Sequence, residues 1–178
     1  MTESSDYIIK NICATLEEEI EGSAQVVDYI IGAKKVFIYG VGRSGLIAKS
    51  FAIRLVQMGL EVFFVGETIT PIVEEGNVVV IVSYTGETMS AIQVANIVRR
   101  VGAKVVTITA NDHSKLASAS NLVVILKPPK DDDRKRLAPL GTIFEGAALI
   151  YLDSLVAVMM EKLGQSEGSM RKRHAIWV

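Results

Sequence analysis

Five short runs of almost unbroken apolar residues alternate with stretches of helical periodicity, and this alternation leaves the chain few ways to fold. The runs are KVFIY (Lys35 to Tyr39), EVFFV (Glu61 to Val65), VVVIV (Val78 to Val82), KVVTIT (Lys104 to Thr109) and LVVIL (Leu122 to Leu126). A strand with water on one face alternates apolar and polar residues, whereas a strand covered on both faces is apolar throughout. Strands of the second kind, separated by helices, predict an α/β fold: a three-layer αβα sandwich around a five-stranded parallel sheet. For five strands the common doubly wound order is the flavodoxin-like 2-1-3-4-5. At 178 residues the chain is long enough for one domain with a sizeable core. We divide it into N-terminal helices (1–33), an α/β core (34–163) and a C-terminal tail (164–178).

Helical spacing recurs between the strands. Ile8, Ile9, Ile12, Leu16 and Ile20 mark a first helix over Tyr7 to Ile20, which Gly22 ends. Ser23 can cap a second helix through Val26, Val27, Ile30 and Ile31, and both helices are expected to pack on the outside of the domain. Helices also follow the first strand (Ile47, Ala48, Phe51, Leu55) and the third (Ile92, Val94, Ala95, Val98). A short connector is expected over Asn111 to Ser120. Lys127 to Leu140, with its run KDDDRKR, reads as a solvated loop. The long helix from Thr142 to Leu163 is apolar almost all round, which predicts burial on more than one side. Its second face, together with the apolar tail residues Ile176, Trp177 and Val178, points to another subunit. Glu145 and Asp153 interrupt this helix and argue against a membrane span.

Net charge is −1, so no general attraction to nucleic acid or anionic membrane is expected. Cys13, the single cysteine, excludes an intrachain disulfide and a cysteine-based metal cluster. The polar, acidic N-terminus is not a secretory leader, so a cytoplasmic protein is expected.

In the order 2-1-3-4-5 the chain reverses between the first and third strands, and ligands bind beyond the C-terminal ends of the strands at that switch point. The loops leaving those two strands are GVGRSG (Gly40 to Gly45) and SYTGET (Ser83 to Thr88), the two glycine- and hydroxyl-rich strand-to-helix loops of the chain. Each runs into a helix start, where unpaired backbone N–H groups and the helix dipole favour an anion. Ser83, Thr85 and Thr88 add neutral hydroxyl donors, and Gly86 is expected to let the backbone approach a ligand. Together they suit a phosphate monoester that must bind and leave. The simpler alternative is that these hydroxyls only cap the helix. GVGRSG also matches G-x-G-x-x-G, with the acidic Glu67 about twenty residues on, as in a dinucleotide fingerprint. The hydroxyl-rich second loop and a sheet that stops at five strands weigh against a nicotinamide cofactor.

The paired loops resemble the sugar isomerase (SIS) domain of phosphosugar isomerases and phosphosugar-binding regulators. Within it the chain is most similar to the 6-phospho-3-hexuloisomerases. The resemblance rests on FIYGVGRSG (Phe37 to Gly45), FVGETITP (Phe64 to Pro71), SYTGET (Ser83 to Thr88), LAPLGTIFE (Leu137 to Glu145) and KRH (Lys172 to His174), and spans nearly the whole chain. The tail after His174, AIWV, departs from the family pattern. The resemblance implies a homotetramer, no metal or organic cofactor, and interconversion of D-arabino-hex-3-ulose 6-phosphate with D-fructose 6-phosphate. This activity is coupled to hexulose-6-phosphate synthase in formaldehyde fixation, the ribulose monophosphate pathway. It also implies phosphate binding by Ser44, Ser83, Thr85 and Thr88, beside Gly42, and acid–base roles for Glu145 and for His174, the latter a candidate to come from a neighbouring subunit.

Moving a carbonyl between adjacent sugar carbons needs a base for a carbon-bound proton and a proton source for the enediol oxygens. No metal is demanded if hydrogen bonds stabilise the developing oxyanion. Glu145, at the start of the long apolar helix, suits the base; its plain alternative is a carboxylate serving the helix dipole. His174 lies in a basic tail that is otherwise a solvated segment. Arg43 is expected to meet the phosphate or a carboxylate such as Glu67, and Glu67 to meet sugar hydroxyls. Tyr84 either packs on the adjacent helix or touches ligand, and His113 reads as surface. A phosphosugar-binding module without turnover, or an isomerase of another sugar such as arabinose 5-phosphate, would share both loops.

Overall fold

The computed structural model describes residues 2–17 and 19–175. Its five strands, β1 (Val36–Gly40), β2 (Val62–Phe64), β3 (Val78–Val82), β4 (Lys104–Thr109) and β5 (Leu122–Ile125), form one parallel sheet in the order β2-β1-β3-β4-β5. The expected architecture and strand order are both found. The central strand β3 is buried at every position. Its side chains alternate between two cores: Val78, Val80 and Val82 face one, Val79 and Ile81 the other. This two-faced burial is why the run carries no polar residue.

The larger core lies under α2 (Ser23–Gly32), α3 (Gly42–Gln57) and α7 (Thr142–Lys162), and Phe51, Leu55, Phe144 and Leu152 are its largest sealed side chains. The smaller core lies under α4 (Met89–Arg100) and α5 (Lys115–Ser118). By length and mean hydropathy, 1.7, α7 would pass for a membrane span. Its apolar character is instead that of a core helix: ten of its residues are buried against the sheet and the helices beside it. Ile150 and Val158 remain exposed on α7.

Three expectations need correction. First, α2 is not an outer layer, since Val26, Val27 and Ile30 are sealed in the larger core. Second, α1 spans Glu3–Leu16 and so begins four residues earlier than the apolar spacing indicates. Thr2 caps it by accepting from the Ser5 N–H, and a capped polar first turn leaves no apolar signal. Gly22, with φ +81, precedes α2 as its N-cap. Third, the charged loop holds a short helix, α6 (Arg134–Leu137), and is clasped to α1. Tyr7 donates to Asp131 at 2.6 Å, Arg136 grips Glu3 through two bonds of 2.9 and 2.7 Å, and Ser4 donates to the Leu137 carbonyl. The tail likewise adds α8 (Glu167–Arg171), closed by a Ser166–Ser169 capping box. Ile176, Trp177 and Val178, which we expected to mark an interface, lie outside the described residues.

Candidate active site at the switch point of the sheet

β1 and β3 run side by side with Gly40 opposite Val82, so the loops that leave them open onto one edge of the sheet. In the first loop the outer glycines serve packing. A Cβ on Gly45 would stand 2.6 Å from the Gly40 carbonyl oxygen, and one on Gly40 would stand 2.9 Å from the Gly45 Cα. Helix α3 therefore starts in backbone contact with the strand it follows. Gly42, at φ +58, has open space where a side chain would be, leaving its backbone free at the mouth.

The second loop differs from expectation at Gly86. A side chain there would collide with Ser114, and φ is +66. The glycine lets the loop settle on the neighbouring connector; close approach of a ligand is not what requires it.

Between the two loops lies a recess of about 160 Å³. Ser44, Ser83, Thr85 and Thr88 line it, with Val41 and Ala91 as apolar walls. Both helices that begin here, α3 and α4, lack a side-chain cap. Thr88 holds the N-cap position of α4 but makes no cap bond; its Oγ1 lies 3.4 Å from Ser83 Oγ instead. Thr85 Oγ1 accepts from the Glu87 N–H at 3.2 Å. Capping thus does not account for the cluster. A recess with two uncapped helix starts and four hydroxyls has the chemistry to receive an anion through neutral donors.

Glu145 does not itself line this recess; it is tied to the first loop by Arg43 and lies near Tyr84, which does line it. Glu145 lies in the first turn of α7, which follows the turn Pro139–Leu140–Gly141. It is 8% exposed, and its Oε2 accepts from Arg43 Nε at 2.6 Å. Arg43 comes from the first loop, so this one bond ties α7 to the start of α3. Arg43 thus meets a carboxylate, as expected, but Glu145 and not the Glu67 given as an example: Glu67 pairs with Lys49 at 3.1 Å, beside β2. Among the described residues Oε1 of Glu145 has no hydrogen-bond partner, and no side-chain oxygen sealed from solvent lacks one, so Oε1 opens outward.

Gly141 and Tyr84 are the neighbours of this carboxylate across the turn. A Cβ on Gly141 would lie 3.0 Å from Glu145 Oε1 and 3.5 Å from the Tyr84 ring, so a side chain there would press the carboxylate a few tenths of an ångström aside. Leu140 just before it takes φ +58, a left-handed conformation costing about 1–2 kcal/mol in an L-residue, which turns the chain into α7. Tyr84 lines the recess, packs its ring 5.2 Å from Phe144, and accepts from Arg134 Nη1 at 2.8 Å. Gly141 was visible as a glycine preceding a helix. Arg134 had no signal inside its charge run.

His174 is not brought to the recess within the chain. It is exposed, and Arg173 anchors the segment by donating to the Gln57 carbonyl at 3.2 Å and Gln165 at 3.0 Å. The hollows that His174 lines hold Arg54, Gln57, Lys49 and Glu67, but none of Ser44, Ser83, Thr85, Thr88 or Glu145. His113 is exposed, as expected.

The chain matches the SIS domain family over residues 29–149. It is 36% identical over 159 residues to 3-hexulose-6-phosphate isomerase of Bacillus subtilis, covering 87% of this chain and 86% of that protein. It is also 36% identical over 149 residues to the protein of that name from Methanocaldococcus jannaschii, covering 84% and 80%. A crystal structure of a Methanococcus jannaschii protein, from which a 3-hexulose-6-phosphate isomerase function was inferred, superposes with a TM-score of 0.89 at 33% identity, over 99% of this chain and all of that one.

Proposed function

The chain belongs to the SIS domain family, and within it we propose a 6-phospho-3-hexuloisomerase that interconverts D-arabino-hex-3-ulose 6-phosphate and D-fructose 6-phosphate. The observation that carries this reading is the Glu145 carboxylate, held by Arg43 through one oxygen and open through the other, near a hydroxyl-lined recess at the switch point. The relatives of like length and similar sequence favour the hexulose phosphate over other phosphosugars.

The substrate phosphate occupies the recess, donated to by Ser44, Ser83, Thr85, Thr88 and the first N–H groups of α3 and α4, with Gly42 leaving the mouth open. Neutral donors bind the dianion without trapping it behind fixed cations. The phosphate fixes one end of the sugar, and binding energy there serves to place the reacting carbons. Glu145 takes the proton from C2 of the 3-ketose. The electron pair moves through C2–C3 onto the C3 oxygen, giving the 2,3-enediolate. Protonation at C3 and loss of the O2 proton then leave the carbonyl at C2. His174, from a neighbouring subunit of a homo-oligomer, carries protons among the sugar oxygens. Glu67 contributes to the sugar-hydroxyl side of that shared site. We assign the protein to the cytoplasm, acting after hexulose-6-phosphate synthase.

Incubation with fructose 6-phosphate in heavy water tests the reading. Deuterium should enter at C3, and added hexulose-6-phosphate synthase should then release formaldehyde. Deuterium at C1 would mean an aldose–ketose isomerase of other specificity. Saturable binding without exchange would mean a phosphosugar-binding module.

A further inference from the structure

Adjoining the recess, and sharing Tyr84 and Thr85 with it, lies a second and larger hollow, of about 460 Å³, which the proposed reaction does not use. Lys127, Lys130 and Arg134 enter it from the segment after β5, and Asn111 and His113 from the segment after β4. Two acidic residues also face it, and one of them, Glu87, is engaged by a cation. Glu87 accepts from the Lys115 N–H at 3.1 Å and lies 3.8 Å from its Nζ. Asp112 lies 3.7 Å from His113 Nε2. The three cations, by contrast, have no carboxylate within salt-bridge distance among the described residues.

Nor is the arrangement a loose surface loop. Arg134 is held by the Tyr84 hydroxyl at 2.8 Å, leaving other guanidinium N–H groups free. Asp131 ties the same loop to α1 through Tyr7 at 2.6 Å and takes the Arg134 backbone N–H at 2.9 Å. A chain with a net charge of −1 therefore gathers three cations without a salt-bridge partner, against two carboxylates, in one concavity on a braced segment. Such a concavity concentrates anions. Tyr84 and Thr85 line both spaces, so an anion here would be a close neighbour of one in the recess.

We propose that this hollow takes the second phosphate of a ketose bisphosphate whose first phosphate sits in the recess. Sugar bisphosphates would then bind more tightly than the monophosphate and exclude it from the site. The placing of the first phosphate rests on the reading given under Proposed function; the cationic hollow does not.

Calorimetric titration at fixed salt tests this, with fructose 6-phosphate and fructose 1,6-bisphosphate as probes, on the wild type and on the Lys127→Ala/Lys130→Ala double variant. The wild type should bind the bisphosphate at least about tenfold more tightly, the scale of one charge-assisted contact. The double variant should bind it no better than the monophosphate, with monophosphate affinity and turnover unchanged. Equal affinities in the wild type, or equal weakening of both sugars in the variant, would overturn the proposal. Bisphosphate binding that depends on the lysines, without any monophosphate binding, would support the cationic hollow and sink the isomerase reading instead.

Discussion

Glu145 and His174, the two groups nominated for acid–base work, sit in regions the chain builds in opposite ways. Glu145 is nearly sealed, gripped by a guanidinium from another loop, and seated close against Gly141. His174 is exposed on a short tail held down by its neighbour Arg173 and shares its hollows with Glu67 and Lys49. The proposed phosphate and carboxylate half of the site thus lies within a single chain. The histidine is exposed away from the recess of its own chain. On the proposed reading it gains a catalytic setting by assembly.

The largest effect that bears on this contrast is at Glu145. Glu145→Gln should fold and bind fructose 6-phosphate normally while exchange at C3 falls on the order of 10²–10⁴-fold, the usual worth of a positioned base. Near-wild-type exchange would remove Glu145 from the chemistry and erase the contrast. His174→Ala should also lose turnover, and the sharper test mixes it with Glu145→Gln. If each site joins Glu145 of one subunit to His174 of another, co-refolded mixtures should regain roughly a quarter of wild-type activity, since random assembly pairs two intact groups at that frequency. No recovery would place His174 within its own chain's site or outside the mechanism.

A smaller loss is expected from Arg43→Lys, which keeps the charge but not the planar grip on Oε2. kcat should drop about tenfold with KM little changed, because the carboxylate is present but misplaced. An unchanged kcat would make the pair structural. Gly141→Ala should act in the same direction by pushing Oε1 aside, with phosphate binding retained.

The smallest effects concern the clasp between α1 and the charged loop. Its bond to Arg136, reinforced by the guanidinium charge, holds the Glu3 carboxyl below its usual range. A carboxyl lowered on folding stabilises above its unfolded pKa, so this contribution is present at neutral pH and fades as pH falls below about 4.5. Partial burial and the bond to Asp131 push the Tyr7 hydroxyl up to about 12. A hydroxyl raised on folding contributes below its unfolded value, so that part is lost between about pH 10 and 12. Unfolding midpoints of Tyr7→Phe against wild type should differ at pH 7 and converge above pH 12. A constant difference across that range would show that the Tyr7–Asp131 bond does not matter.

Much of this was open to reading in the sequence, for local reasons. The VVVIV run had to be a strand covered on both faces, and a hydroxyl-rich loop entering a helix had to gather donors at one end of the sheet. Gly86 was misread because its demand comes from Ser114, 28 positions away, rather than from a ligand. Arg134 was lost in a charge run because the seven charged residues of KDDDRKR look alike until one of them meets Tyr84.

The sequence by itself determined the five buried strands of a parallel sheet, because these follow from hydrophobic period and from the backbone's need for partners, which neighbouring residues reveal; the order, expected as the common one for five such strands, is seen in the fold. Only the tertiary structure decided who holds whom. Arg43 binds Glu145 across 102 positions, Glu67 goes to Lys49, and Tyr7 braces the loop that carries Arg134. A charged side chain can pair with any opposite charge it meets, so its partner is set by which surfaces the packed core brings together.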